Sequence, residues 1–180
     1  MGSSNLKKIL IATIILIVLG LAGCKYFVGG NTKGYEEAIE NVCDAIEKSD
    51  MDKYSECMEK SYLAYDSSQL ETIKFTEAAA ITALKSAYGD NLDISIDVTE
   101  TNDLMKSAKE KGEEQLEKLI TITGMAKDEV DELYSIKYNY KVKGSTSSTT
   151  GDSIMMVVES DDKWYVLDDV AVTLYMGIEE

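Results

Sequence analysis

Few residues in this sequence are equipped for chemistry. The 180-residue chain has three cysteines, Cys24, Cys43 and Cys57, and no histidine. Without imidazole, Ser-His-Asp and Cys-His nucleophile systems are excluded, and so are the commonest zinc ligands. Cys43 and Cys57 alone would leave a metal's coordination shell unfilled, so no metal site is expected. Asp50-x-Asp52 opens like a calcium loop, but Tyr54 stands where an oxygen ligand is wanted and no glycine follows. The acidic run KDEVDEL reads as a solvated helical turn. Carboxylates, tyrosines and lysines remain as the only candidates for reactive groups, and no cofactor is implied.

Charge narrows the partners. The chain has 33 acidic residues against 18 basic ones, a net charge of −15, and every basic residue is a lysine. Such a surface repels phosphate backbones, and the arginine fork that reads phosphate and guanine is missing. No nucleic-acid partner is expected.

Cys24 sits apart from the other two. Lys7 and Lys8 precede an apolar run over residues 9–22, which ends in Gly23-Cys24. A positive start, a short apolar stretch and small residues at its end describe an export signal. The run is shorter than the roughly 18–20 residues a spanning helix needs. Leu21-Ala22-Gly23-Cys24 resembles the lipobox of bacterial lipoproteins. That resemblance implies removal of residues 1–23, a diacylglycerol on the Cys24 thiol, and a chain held at the outer face of the cell membrane. The alternative is an uncleaved anchor in which the cysteine is incidental. Residues 24–34, with Gly29, Gly30 and Gly34, read as the lipidated cysteine and a flexible linker.

From Tyr35 the pattern is helical, with Tyr35, Ala38, Ile39, Val42 and Ile46 at 3–4 spacing. KSD interrupts it, and Asp50 can cap a second helix carrying Met51, Tyr54, Met58, Tyr62 and Tyr65. A short break between amphipathic helices suggests an antiparallel hairpin. Cys43 and Cys57 lie seven residues either side of Asp50, so the hairpin sets them opposite one another. In an exported protein this predicts a Cys43–Cys57 disulfide. Two buried free thiols are the alternative.

Ser68 and Glu71 fit a capping box for a third helix with Leu70, Ile73, Phe75, Ala78, Ile81, Leu84 and Tyr88, stopped at Gly89. DISIDVTE alternates as a strand does. Asn102 can cap a long helix to about Ile122, ended by Gly124, with one more helical turn in MAKDEVDEL. A second strand follows from Leu133, then the polar loop GSTSSTTGD. SIMMVVES and KWYVLDDV are two further strands around a turn at Asp161-Asp162. AVTLYMGIEE reads as a strand extension or a frayed tail. Segregated helices and strands mean an α+β fold, with N-terminal helices on a curved, mostly antiparallel four-stranded sheet.

This order, with YEEAIENVCDAIEKSDMDKYSECM at the front and VVESDDKWYVLD at the back, resembles the NTF2-like superfamily over residues 35–170. In particular it resembles the small lipoproteins of Gram-positive bacteria that carry such a domain, here residues 35–180. The resemblance implies a cone whose concave face receives the helices. Tyr134, Tyr138, Tyr140, Trp164, Met155 and Met156 are the expected lining of its cavity, for an apolar small molecule or an envelope protein. It also implies an enzymatic alternative, in which Asp97 with Tyr138 or Tyr140 abstracts a proton beside a carbonyl. Asp97 alternates with isoleucines, though, as a solvent-facing residue does, and the tyrosine stripe reads as cross-strand packing. No catalytic residue is assigned. The expected function is that of a lipid-anchored, non-enzymatic binding or accessory module of the cell envelope, with a purely structural envelope protein as the further alternative.

Overall fold

The computed structural model describes residues 33–178. The leader, Cys24 and residues 25–32 of the linker lie outside the described residues. Helix α1 runs Lys33–Lys48, α2 Met51–Cys57, and a 3-10 turn Glu59–Ala64 leads to the long helix α3, Ser67–Tyr88. Strand β1 is Asp93–Asp103, followed by α4 (Leu104–Lys111) and α5 (Glu113–Thr123), then a short 3-10 turn. Strands β2 (Glu132–Lys143), β3 (Ser148–Ser160) and β4 (Lys163–Val166) precede helix α6, Val170–Met176.

The four strands pair antiparallel in sequence order, an open meander in an α+β fold. Thr99 is an extra residue between Val98 and Glu100 in the β1–β2 ladder, a bulge that bends the edge strand. Asp161 and Asp162 both take positive φ, the geometry of a two-residue hairpin turn that matches sheet twist.

Alternation along the strands creates two cores. Ile94, Ile136, Tyr138, Val142, Met155, Val157 and Val166 face one way, onto α1, α3 and α6. Leu133, Met156, Val158 and Tyr165 face the other way, onto α4 and α5. The N-terminal helices therefore pack on one face as expected, and the helical segment between β1 and β2 covers part of the other.

The long helix expected from Asn102 to about Ile122 is two helices and not one. Gly112 takes φ +109 and separates α4 from α5, and Asp103, not Asn102, caps α4 through the Lys106 N–H. At α3 the capping box is Asp66 with Gln69, two residues earlier than Ser68 with Glu71. The second helix is also shorter than its pattern: α2 ends at Cys57 and tightens into a 3-10 turn that still buries Met58 and Tyr62. The loop expected at GSTSSTTGD is mostly strand, because β3 begins at Ser148 and Thr149 and Thr150 pair with Val142 and Lys141. The C-terminal segment is a helix. Asp169 caps it, and Val170, Ala171 and Leu174 are buried, which outweighs the strand preference of its valines.

Candidate functional site

The six expected lining residues do not surround a cavity. Tyr138 and Met155 are buried in the first core. Met156 is on the opposite face of the sheet, in the second core, because it is the next residue along a strand. Tyr140 packs its ring against Tyr138, and its hydroxyl end rests on Gly151 and Gly177, where a Cβ would collide with it. Tyr134 and Trp164 stack with Tyr35 at the start of α1, ring centroids 5.7–6.0 Å apart. On the helix-covered face of the sheet, Tyr138, Tyr140 and Met155 are part of one packed core. Asp97 is exposed and faces away from the side of the sheet that Tyr138 occupies.

Cys43 and Cys57 are both free thiols, so the disulfide expected from their spacing is not formed in the structure. Cys43 is 6% exposed and near enough to Tyr138 to influence its ionisation. Cys57 instead borders a groove with Gly34, Ala38 and Asn41. Because α2 is a single short segment anchored through Tyr54, its last residue turns toward that groove while Cys43 turns to the sheet.

The groove is the open feature of this end of the molecule. It lies between α1, α2 and β4 and encloses about 970 Å³. Trp164 lines it, held by Tyr35 and Tyr134. Its rim is mostly acidic, with Glu37, Glu56, Glu59, Glu159 and Asp162 against Lys53 and Lys163. Burial and the neighbouring acids Glu132, Asp131 and Asp162 push Glu159 above its ordinary range. A groove of this composition suits a cationic segment with an apolar or aromatic anchor.

A second cluster was not anticipated from the sequence. The Tyr62 hydroxyl donates to Glu77 at 2.8 Å, and Glu77 is 1% exposed in the middle of α3. Tyr54, fully buried, donates to Asp169 at 3.1 Å and accepts from the Ala171 N–H at 3.2 Å. Asp168 accepts from the Met156 N–H, and burial, with Asp169 beside it, pushes its carboxyl up to about 6. Desolvation raises the hydroxyls of Tyr54, Tyr62 and Tyr65, and nearby carboxylates add to the rise. Tyr54 and Tyr62 are thus phenols held protonated so that they donate to enclosed carboxylates, as a core needs. The sequence does carry one signal for them: Glu77 is four residues after Ile73 and four before Ile81, on the apolar stripe of α3. Phe75, expected on that stripe, is instead 76% exposed, since two residues from Ile73 is the wrong spacing.

Among the described residues no group of three or more Cys, Asp or Glu side chains is arranged to hold a metal ion, and no helix is long and apolar enough to cross a membrane. No known family model, curated protein or solved structure matches the chain.

Proposed function

We propose that this protein is a lipid-anchored accessory module at the outer face of a bacterial cell membrane, acting through its surface on another envelope component. The lipobox-like Leu21-Ala22-Gly23-Cys24 supplies the anchor in this reading. The packing of the expected lining is the observation that carries it: Tyr138, Tyr140 and Met155 are taken up by the core under the helices, and Met156 lies on the other face of the sheet. Binding then falls to the groove beside Trp164, and an envelope protein presenting a basic segment is the partner its acidic rim favours. Cys24 is nine residues before Lys33, so the groove hangs within about 30 Å of the anchor. An NTF2-like ancestry would fit the helices-on-meander order, and function in such folds is set by the site.

The test is an intact mass of the full-length protein taken from its own membranes in detergent, native and then denatured. The expected result is a diacylglyceryl chain starting at Cys24 with no small molecule released on denaturation. An unprocessed chain starting at Met1 would remove the anchor. A released organic mass would return the interior ligand.

A further inference from the structure

From Thr72 to Ser86 the outward face of α3 carries no charge, and exposed Glu71 stands just before it. The helix's 22 residues contain Glu71, Lys74, Glu77 and Lys85 as their only ionisable groups apart from Tyr88. Glu77 and Tyr88 point into the core, and the two lysines lie half-buried at the flank. Between the flanks run Phe75, Ala78, Ala79, Thr82, Ala83 and Ser86, lining a shallow apolar groove along the helix, with Thr72 exposed just before them. In a chain with 33 acidic residues, an outward helix face of about four turns without a charge is a neutral surface a partner can cover.

The hydroxyls on this face are already satisfied. Thr72, Thr82 and Ser86 donate to the carbonyls of Ser68, Ala78 and Thr82, at 2.9–3.1 Å. Covering them therefore strands no donor, and what they show outward is largely methyl and methylene surface. Phe75, at 76% exposure, is the large anchor in a row of small residues that let another backbone come close.

We infer that α3 is a self-association face, on which two copies of this chain pack antiparallel about a two-fold axis at Ala78. The charges at the flank select this occupant. Glu71 and Lys85 lie seven residues before and after Ala78, two helical turns to each side on one edge of the stripe. An antiparallel pair centred there brings Glu71 of each copy opposite Lys85 of the other, twice by symmetry. It also sets Phe75 of each copy over the small residues around Ala79 of its mate. A two-fold interface must be self-complementary in this way, and a partner of different sequence would have no need of that spacing. Two strongly acidic chains also repel least where their surfaces are neutral. A seam one helix long, about 33 Å, belongs to the small end of interfaces, so the dimer is weak and reversible.

The experiment is sedimentation velocity of the full chain from low to high micromolar concentration. Density-matched detergent is kept in excess, so that micelles do not join two anchors. A concentration-dependent monomer–dimer equilibrium is expected. Phe75→Glu, at an exposed position that leaves the fold and the circular dichroism unchanged, weakens it by about tenfold or more. Glu71→Lys and Lys85→Glu each weaken it by roughly three- to tenfold, and the double reversal restores it. A chain that stays monomeric throughout, with the face then belonging to some other protein, overturns the inference. So does a dimer that Phe75→Glu leaves intact, or a double reversal that fails to rescue.

Discussion

Cys43 and Cys57 show how far one side chain's chemistry depends on where it is placed. Burial pushes the Cys43 thiol up to about 12, and Glu47, Asp44 and Glu40 around it add to the rise. Cys57 is half-buried at the groove, and its smaller rise through burial is opposed by Lys53. Since the thiolate is the reactive form, the two should separate in rate. At mildly alkaline pH, an alkylating reagent is expected to modify Cys57 in the folded protein and Cys43 only after unfolding. In denaturant without reductant both are modified, as peptide mass mapping would show. Two thiols that stay blocked in denaturant until reductant is added would mean that the bridge forms in the cell. The sequence placed both cysteines on facing helices, because 3–4 spacing reports which stripe a residue belongs to. It did not report which way α2 turns at its last residue, which depends on Tyr54 being tied to Asp169 more than a hundred residues later.

Elements were legible where the signal is local and lost where a distant contact decides. Asp50 as a cap, the alternation of β1 and β2, and the stops at Gly89 and Gly124 are all written within a few residues. The break at Gly112 was equally local, but the long helical pattern on either side masked it. Helix α6 depends on burial against α3, and the start of α1 depends on Trp164, so neither can be read from its own segment. Gly34 makes the second case testable. Read alone, it belongs to a flexible linker, or, once helical, to a site where alanine adds about 1 kcal/mol of helix preference. In the structure a Cβ at Gly34 would run into the indole of Trp164. The contact predicts the opposite sign: Gly34→Ala should destabilise the domain by about 1–3 kcal/mol. Chemical denaturation followed by the emission of Trp164, the single tryptophan, reads this directly. A stabilised variant would show that the first turn of α1 does not rest on the indole.

At the scale of the whole molecule, the buried acids at the junction of α2, α3 and α6 set how stability responds to pH. Exposed carboxylates are held low, Asp44, Glu113 and Glu114 by lysines and Asp66 by the Ser68 hydroxyl and the N–H groups it caps. Their contribution is present above the ordinary carboxylate range and is lost as pH falls. Asp168 works the other way. Its folded-state value, about 6, lies above the ordinary 3.8, so the folded chain holds a proton that the unfolded chain has released. The stability this group contributes is complete below about 3.8 and is lost as pH rises through about 6. Ionising it inside the fold costs on the order of 3 kcal/mol at neutral pH. Asp168→Asn keeps an oxygen for the Met156 N–H and removes the titration. The variant is therefore expected to match the parent near pH 4 and to exceed it in unfolding free energy at neutral pH. The difference should open between those two limits, which isolates Asp168 from the exposed acids common to both proteins. Denaturant midpoints across that range decide it. A constant offset at every pH would mean that Asp168 is ionised throughout and that the junction is open to water. The buried tyrosines would then donate to acids in a hydrated cleft, and the concave side would again be a place where a ligand could enter.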